Sequence, residues 1–398
     1  MQQSLSQRLA GSARPWPGRA LAVALVITDL DIGGAERALT ALATGLDPAR
    51  WRLSVFCLGG PGRLAEVLRG ANIPCMCLHV HRRNPLQAVA RLAHGLRQFR
   101  PELIQSFMFH ANLAARLSAP LAGCPWVVGG LRVAERKKRW HLILDRLTAR
   151  LATGSVCVSQ GVFRFSRDVA GLNPDRLTII PNGIDPVLFC RAARLSRAEI
   201  GVPESAHLGL YVGRLDVQKG LPDLLDAAEQ VAKERPLWHL TLAGDGPLRD
   251  WLISQLTHRY WLRERVHWLG SRDDIPALLK SADVLIHPSL WEGMPNAVLE
   301  AMAASRPVIG TAVEGTEDLI VPGQTGWLVP PGNVLALTDA IRDAADSPER
   351  CLRYGEAGCR LVESEFSLKG TLAAYERLWA RILGFEVPNT NADPAGTL

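Results

Sequence analysis

Residues 287–300 have the sequence His287-Pro-Ser-Leu-Trp-Glu-Gly-Met-Pro-Asn-Ala-Val-Leu-Glu300. The apolar run 282–287 is typical of a buried strand, and the alanine-rich run after Pro295 is typical of a helix with proline at its first position. A helix start favours an anion through its N–H groups and its dipole, so the Gly-Met-Pro-Asn turn predicts a phosphate site. Glu292 and Glu300 flank this turn, and a carboxylate tolerates a nearby phosphate where it accepts hydrogen bonds from hydroxyl groups. We therefore expect one long ligand that carries both a phosphate and a sugar.

The whole chain shows the same alternation of strand-like and helix-like segments. Its 398 residues, 47% of them hydrophobic, are enough for about two domains of ordinary size. Apolar runs begin at Leu21 and recur between helical stretches, which is the pattern of a doubly wound α/β domain. The alternation starts again at His207, after a segment, 186–205, that we interpret as a linker. The sequence thus predicts two Rossmann-like domains, 19–190 and 206–367, with a cleft between them.

A glycine turn follows the first strand of each predicted domain. Gly33 and Gly34 let a ligand approach the backbone closely, although an ordinary strand-to-helix turn explains them equally well. The matching turn of the second domain carries Arg214 and Lys219, and a planar guanidinium beside a compact ammonium suits a pyrophosphate. Because these two cations share a predicted domain with both glutamates, we expect them to bind a phosphate.

Two further motifs bear on the chemistry. His110 follows a predicted strand, at the carboxyl end where open parallel sheets hold ligands, but a lone histidine is more often structural than catalytic. Gly244-Asp-Gly246 imitates a dinucleotide fingerprint but has Arg249 where a third glycine belongs, which disfavours nicotinamide chemistry. The cysteines show no Cys-x-x-Cys pair of the kind that marks a zinc site.

A basic segment at 132–151 has two possible interpretations. Its apolar and basic stripes at helical spacing are Trp140, Leu144, Leu147 and Leu151, and Arg139, Arg146 and Arg150. Such a helix can lie on an anionic lipid surface, or it can pack its apolar stripe into the core and leave the arginines solvated; the pattern supports both equally. Residues 1–190 hold 24 Lys and Arg against 11 Asp and Glu, a net +13, which suggests an anionic surface or acceptor for the first domain; a well-solvated basic face is the alternative.

The composition also predicts a location. Eight scattered cysteines in a chain of this length are typical of a reducing, cytoplasmic protein. A basic start before the apolar run 20–28 imitates a signal peptide, but Asp29 and Asp31 follow that run at once. No uninterrupted apolar run approaches the roughly 20 residues that a membrane-spanning helix needs. We expect a cytoplasmic protein whose membrane contact, on the cytoplasmic face of the inner membrane, is peripheral.

Taken together, the motifs resemble a known family. In chain order they are Gly33-Gly34-Ala-Glu36, His110-Ala-Asn112, Pro181-Asn-Gly-Ile-Asp185, Gly213-Arg214-Leu-Asp-Val-Gln-Lys219-Gly220, Gly244-Asp-Gly-Pro247, and Glu292 with Glu300, followed by Ala-Met-Ala. Their order and spacing, over nearly the whole chain, are similar to those of the large retaining GT4-type glycosyltransferase family (glycosyl transferases group 1), which includes many bacterial polysaccharide and lipopolysaccharide enzymes.

The resemblance implies a fold and a set of site residues. The fold is the GT-B architecture, with a C-terminal helix at 368–385 that crosses back to the first domain. The implied catalytic residues are Glu292, His110, Arg214 and Lys219. The implied donor-binding residues are Gly33, Gly34, Arg214, Lys219, Leu269, Glu292, Gly293, Met294, Asn296 and Glu300. In this interpretation His110 approaches the donor sugar from the first domain, and the loop at Leu269 holds the nucleotide base.

The resemblance also implies a retaining transfer of a hexose or N-acetylhexosamine to a lipid-linked, lipopolysaccharide or exopolysaccharide glycan. The donor is expected to be a UDP-sugar, with GDP-mannose as the second choice. No divalent metal is expected, because the two cations and a helix terminus can stabilise the leaving diphosphate. Alternatives on the same architecture are a nucleotide-sugar epimerase, a sugar-phosphate synthase and a non-catalytic binding protein. The presence of Arg214, Lys219, Glu292 and Glu300 argues against the last of these.

Overall fold

A computed structural model describes residues 13–80, 84–136 and 139–388. The chain forms two compact units. The first comprises the residues up to Val158, Val162–Pro181 and the residues from Lys369 onward; the second comprises Ser159–Gly161 and Asn182–Leu368. Each unit contains its own sheet and its own hydrophobic core.

The first unit is built on a parallel sheet. Its strands are β1 (Leu21–Ile27), β2 (Trp51–Cys57), β3 (Cys75–Cys77), β4 (Leu103–Ser106), β5 (Val127–Leu131), β6 (Gly154–Cys157) and β7 (Leu177–Ile179), in the order β3-β2-β1-β4-β5-β6-β7. The helices of this half of the chain are α1 (Gly34–Gly45), α2 (Arg63–Gly70), α3 (Pro85–Phe99), α4 (Phe109–Ala122), α5 (Arg139–Thr148) and α6 (Gln160–Asp168). All seven residues of β1 are buried, because helices cover both faces of a parallel sheet.

The second unit repeats this arrangement. Its strands are β8 (His207–Val212), β9 (Trp238–Ala243), β10 (Val266–Trp268), β11 (Val284–His287), β12 (Val308–Thr311) and β13 (Gly326–Val329), in the order β10-β9-β8-β11-β12-β13. Its helices are α7 (Pro186–Cys190), α8 (Leu221–Glu234), α9 (Arg249–His258), α10 (Tyr260–Arg265), α11 (Ile275–Ser281), α12 (Asn296–Ala303), α13 (Thr316–Leu319), α14 (Val334–Asp346) and α15 (Pro348–Glu365). Every strand pair in the sheet is parallel.

The last helix, α16 (Leu368–Leu383), packs into the core of the first unit. Trp379 is fully buried and meets Trp51 edge to face, with ring centroids 5.3 Å apart. The indole N–H of Trp379 donates to Gln105 Oε1 at 3.2 Å, and that of Trp51 donates to Glu376 Oε1 at 2.8 Å. Because each buried indole has a hydrogen-bond partner, α16 packs in one defined orientation in this core.

The two parallel sheets with alternating helices confirm the predicted α/β class and its two Rossmann-like units. In each sheet the strand order reverses beside the first strand, between β1 and β4 and between β8 and β11. Open α/β sheets bind their ligands at the carboxyl ends of such strands. The loops after β8 and β11 are thereby neighbours at one edge of the second unit.

Two local predictions need adjustment. The basic helix α5 runs from Arg139 to Thr148 rather than over 132–151. Residues 132–136 precede it in irregular structure, 137 and 138 lie outside the described residues, and a 3-10 helix, Ala149–Leu151, follows it. Helix α12 begins at Asn296, and Pro295 is its N-cap with extended backbone (ψ 113°) rather than its first helical residue. Within the described ranges, no helix has both the length and the apolar character needed to cross a membrane.

Candidate active site

The loop after β8 packs directly on the segment after β11. Gly220 has a φ of +63°, and a Cβ at this position would lie 2.0 Å from the carbonyl oxygen of Pro288. The amide of Leu290 donates to Gln218 O at 2.8 Å, and the Gln218 side chain donates to Trp291 O at 2.9 Å. Only glycine fits such a close approach, so Gly220 fixes its neighbour Lys219 beside the residues that follow β11.

Lys219 forms an ion pair with Glu292, one of the two glutamates that flank the predicted phosphate turn. Glu292 Oε1 also accepts a hydrogen bond from Ser289 Oγ at 2.7 Å and lies 3.1 Å from His287 Nε2. His287 and Ser289 are almost fully buried and are themselves 3.1 Å apart. The carboxylate of Glu292 is therefore held in one orientation by a cation and two polar side chains.

Electrostatics fix the charge states of this cluster. Burial alone would raise the pKa of Glu292, but the Lys219 charge and the contacts with His287 and Lys219 outweigh it and hold that pKa well below its usual range. Burial lowers the pKa of His287, only partly offset by its hydrogen bond with Glu292. At neutral pH the cluster thus contains an anionic glutamate, a cationic lysine and a neutral imidazole, which donates through Nε2 to the carboxylate.

The turn between β11 and α12 is braced from both sides. The side-chain amide of Asn182 donates to Asn296 Oδ1 at 2.7 Å, and its backbone N–H lies 3.1 Å from Met294 Sδ. On the other side, a Cβ on Gly315, whose φ is +76°, would lie 2.0 Å from Gly293 O. The predicted donor-binding residues Gly293, Met294 and Asn296 therefore share one rigid turn.

Glu300 lies further along α12 and is as deeply buried as Glu292. It is four residues beyond the first helical residue, Asn296, which corresponds to about 6 Å along the axis at ~1.5 Å per residue. The two glutamates thus belong to separate points of the same strand-turn-helix segment. Their different roles stay a prediction.

The other two predicted residues of this unit lie on neighbouring loops. The Arg214 side chain is 62% exposed, with its Nη2 3.4 Å from Asp216 Oδ2. Leu269, half-buried just after β10, donates its backbone N–H to Leu242 O at 2.9 Å. Gly244 has a φ of +149° and would place a Cβ 1.9 Å from Gly213 O, so the loops after β8 and β9 touch. The Arg214 side chain is therefore largely open to solvent, whereas Lys219 is held by its ion pair with Glu292.

In the first unit, the carboxylate of Glu36 lies at the start of α1. A Cβ on Gly33 would lie 2.2 Å from Glu36 Oε2, and Glu36 is buried. Burial lowers the pKa of Arg132, and the contact with Tyr375 and the charge of Glu36 oppose this shift, so a cation lies near that carboxylate. A phosphate at this helix start would meet a negative side chain, so the predicted donor contact of Gly33 and Gly34 stays a prediction.

His110 lies exposed in the first turn of α4. The residue before this helix, Met108, has φ 74° and ψ 159°, a backbone region that is essentially confined to glycine. Asn112 holds the segment by donating to Gly130 O at 3.0 Å and accepting from Gly130 N at 3.0 Å. The position of His110 is thus set by a strained residue on one side and a buried amide on the other.

The aromatic neighbours of His110 come from α4 and α5. The Phe109 ring stacks on His141 with centroids 3.8 Å apart, and His141 meets Trp140 at 4.0 Å. The His110 ring lies 5.2 Å from Phe109 and 5.4 Å from His141. His110 is therefore one member of a continuous aromatic cluster.

Side chains that could ligate a metal ion are not clustered in the part of the chain that the structure describes. Asp29 and Asp31 form an Asp-x-Asp triplet in the loop after β1. Among the described residues, no group of three or more His, Cys, Asp or Glu side chains is arranged to hold a metal ion.

Three side chains of the cluster had no role assigned from the sequence. His287 and Ser289 lie inside the quoted stretch 287–300, and Asn182 lies in the Pro-Asn-Gly-Ile-Asp motif. Their positions inside these motifs could have marked them as site residues. The contact of Asn182 could not be predicted from its motif, because Asn182 and Asn296 are 114 residues apart in the chain.

Two Rossmann-like units, with a glutamate–lysine pair beside a helix start at a strand-order reversal, define the class of GT-B sugar-nucleotide enzymes. Comparison with protein families agrees: the family described as "Glycosyl transferases group 1" matches residues 206–347, and "Glycosyltransferase Family 4" matches residues 32–188. The chain belongs to the GT4-type glycosyltransferases, which act on nucleotide sugars.

Individual relatives and structures are similar over most of the chain. The UDP-Gal:alpha-D-GlcNAc-diphosphoundecaprenol alpha-1,3-galactosyltransferase of Escherichia coli is 26% identical over 309 residues, 75% of this chain and 79% of that protein. A glycogen synthase of Mycobacterium tuberculosis is 31% identical over 294 residues, 73% of this chain and 66% of that protein. The crystal structure of Anabaena HepE in complex with UDP-glucose has a TM-score of 0.81 at 22% identity and covers 90% of this chain and 99% of that one, which shows the shared GT-B fold.

Proposed function

We propose that this protein transfers a hexose or N-acetylhexosamine from a UDP-sugar to a lipid-linked glycan, with retention of configuration and without a divalent metal. The observation that carries the proposal is the Lys219–Glu292 pair beside the braced turn 293–296. This pair supplies a cation for a phosphate and an oriented carboxylate for sugar hydroxyls at one edge of the sheet.

The proposed chemistry depends on charge that develops on the leaving diphosphate. The bond between the sugar C1 and the diphosphate oxygen breaks, the acceptor oxygen bonds to C1 on the same face, and the acceptor proton passes to the leaving phosphate. Lys219, the exposed Arg214 and the start of α12 stabilise that negative charge, as preorganised donors do in other transferases. Glu292, kept anionic by Lys219, stabilises positive charge on the sugar as the bond breaks. The participation of His110 is part of the proposal.

Because two protein cations and a helix start can carry this charge, we propose that no metal takes part. The test is activity after treatment with a chelator. Full turnover in excess EDTA is expected, and a requirement for added Mg²⁺ or Mn²⁺ would contradict this part of the proposal.

The nucleotide and the acceptor are proposed from the relatives. UDP is supported by the names of the Escherichia coli enzyme and of the HepE complex, with GDP-mannose as the second donor to test. A lipid-linked acceptor is supported by the name of the Escherichia coli enzyme and by the net +13 of residues 1–190, from 24 Lys and Arg against 11 Asp and Glu. Because a lipid-linked acceptor is embedded in a membrane, the enzyme must reach the membrane surface. We therefore propose peripheral contact with the cytoplasmic face of an anionic membrane.

The experiment that tests the donor is a thermal-shift panel of UDP-, GDP- and ADP-sugars. A ligand at 100 times its dissociation constant adds about 2.7 kcal/mol to the free energy of unfolding. A shift with a UDP-sugar is expected for the parent and is expected to be absent for Lys219→Met. The absence of any shift with all three nucleotide classes would overturn the proposal.

A soluble acceptor is the second candidate, because the Mycobacterium tuberculosis relative is named as a glycogen synthase. Incubating the identified donor with either a polyprenyl-diphosphate sugar or a glucan, and following the released nucleotide diphosphate, discriminates the two. Release with the lipid acceptor alone supports the first proposal, and release with the glucan alone supports the second.

A further inference from the structure

Helix α5 is amphipathic in the reverse of the usual sense. Its two buried residues are polar: His141 lies 3.2 Å from Glu135 Oε2, and Asp145 forms an ion pair with the fully buried Arg116 of α4. Arg116 Nη1 also donates to Thr148 Oγ1 at 3.1 Å. The polar face of α5 is therefore tied to α4, which fixes the opposite face outward.

The outward face is apolar. Trp140, Ile143, Leu147 and Leu151 are 52%, 60%, 59% and 45% exposed. Trp140, Ile143 and Leu147 lie in one row on α5, since an α-helix turns by about 100° per residue, and Leu151 lies in the 3-10 helix Ala149–Leu151 that follows α5. The sequence pattern assigned Leu144 to this row, but Leu144 is half-buried and Ile143 takes its place. We call these four residues the α5 stripe.

A basic row lies beside the α5 stripe. Arg139 and Arg146 on α5, and Arg150 in the 3-10 helix that follows it, each precede a stripe residue by one position, and all three arginines are exposed. Within the described residues, no carboxylate lies within ion-pairing distance of any of the three. A helix face that is merely solvated does not usually combine four large exposed apolar side chains with a row of arginines that have no carboxylate partner.

We propose that the α5 stripe and its arginine row dock this protein on an anionic lipid bilayer. The apolar side chains enter the boundary between headgroups and acyl chains, Trp140 lies at the polar interface, and the arginines meet lipid phosphates. The occupant follows from charge complementarity: a neutral apolar partner would not use the arginine row, and a free phosphate would not use the stripe. The inference rests on the proposed lipid-linked acceptor and names the surface that reaches it.

The docking face is continuous with the candidate catalytic histidine. Trp140 packs on His141, His141 stacks on Phe109, and Phe109 adjoins His110, with centroid separations of 4.0, 3.8 and 5.2 Å. Only the rings of His141 and Phe109 therefore separate His110 from Trp140, the side chain that enters the bilayer surface. Docking brings the headgroup of an acceptor in the same bilayer to this edge of the first unit, and catalysis on a lipid acceptor should depend on it.

The test is co-sedimentation of the full chain with vesicles of neutral phosphatidylcholine or of phosphatidylcholine with phosphatidylglycerol. Binding to the anionic vesicles alone, weakened by salt, is expected for the parent. Ile143→Ser with Leu147→Ser should reduce partition at least about tenfold, because two apolar side chains lose their burial. Arg146→Gln with Arg150→Gln should reduce it by roughly 25-fold at low salt, about fivefold for each arginine. Trp140 is left intact because it also packs on His141.

Leu86→Ser with Val67→Ser is the matched control. These residues are 81% and 50% exposed on other helices of the same unit, and their replacement should leave partition unchanged. Equal recovery of the parent with both vesicle types, or equal loss in the control and the stripe variant, would overturn the proposal. Self-association of the lipid-free parent that the stripe variant abolishes would also overturn it, because the face would then be covered by a second copy.

Donor binding separates this inference from the proposed function. The stripe and arginine variants should keep the thermal shift with the UDP-sugar, since both substitutions lie in the first unit on exposed side chains. Their turnover on a vesicle-embedded acceptor should fall with partition. A parent that binds anionic vesicles but no nucleotide sugar would sink the proposed function and leave the docking surface standing; a parent that binds the sugar but no vesicles would do the opposite.

Discussion

The ammonium of Lys219 and the carboxylate of Glu292 form an ion pair at the carboxyl edge of the second sheet, with side chains 18% and 8% exposed. In the absence of a ligand each charge neutralises the other, and the cost of burying both is offset by Ser289 and His287. A diphosphate that reaches Lys219 adds a second anion to the same cation. The pair therefore serves both the stability of the empty site and the binding of the donor.

A double-mutant comparison separates these two contributions. Lys219→Met leaves the Glu292 charge buried without its partner and should lower the free energy of unfolding by about 3 kcal/mol, the low end for a broken buried pair. Lys219→Met with Glu292→Gln removes both charges and should recover most of that loss, while turnover stays abolished in both. Urea unfolding with a nucleotide-release assay measures the two effects. Equal stability of the single and double variants would show that the pair is not electrostatically coupled.

The sequence predicted the segment at 287–300 better than the contacts around it. Periodic apolar runs determine where strands lie, so the edge that carries Glu292 followed from local pattern. The register of α5 did not, because Leu144 and Ile143 differ by only about 100° and the choice depends on Arg116, which reaches Asp145 from 29 residues away. Long-range pairing of this kind leaves no periodic signal in a single sequence.

The backbone conformation of Met108 predicts that glycine is more stable than alanine at this position, the reverse of the usual order in a helix. Its φ of 74° with ψ of 159° costs a residue with a side chain about 1–3 kcal/mol. Met108→Gly should therefore unfold at a higher urea concentration than Met108→Ala, by about 1 kcal/mol in free energy. The same two substitutions at Leu117, inside α4, should show the usual order, with alanine about 1 kcal/mol more stable. Alanine more stable than glycine at position 108 would show that the residue is unstrained.

Two stacked histidines make the second unit sensitive to acid. His239 is buried, and its Nδ1 lies 2.9 Å from His267 Nε2. Burial, with the charges of His267 and Arg265, lowers the pKa of His239 to about 4, and burial also lowers that of His267. Because the folded pKa lies below the unfolded value, the unfolded chain binds a proton first as the pH falls. The stabilisation is complete above about pH 6.5 and is lost on the way down to pH 4.

His239→Gln tests this dependence. Between pH 7.5 and 5 the parent should lose about 2 kcal/mol of unfolding free energy through His239 alone, a loss that the variant should lack. His207→Gln, at an exposed position of β8, is the matched control and should follow the parent. Parallel urea titrations at the two pH values decide the matter. A variant as acid-sensitive as the parent would assign the loss to other groups.

The two glutamates of the turn should affect different kinetic constants. Glu292 is oriented by Lys219, His287 and Ser289, so its charge is preorganised for the sugar as the bond to the diphosphate breaks. Glu292→Gln should lower turnover by the order of 10²–10³, the usual effect of losing one such contact, with little change in donor affinity.

Glu300 lies further along α12, and contacts with ribose hydroxyls would be alike in the ground and transition states. Glu300→Gln should therefore raise the donor Michaelis constant and keep its turnover. Steady-state kinetics, with nucleotide binding measured by calorimetry, compares both variants with Glu356→Gln, an exposed control on α15. Full turnover in Glu292→Gln, or nucleotide binding by Glu300→Gln equal to that of the parent, would mean that these carboxylates only secure the strand-to-helix turn.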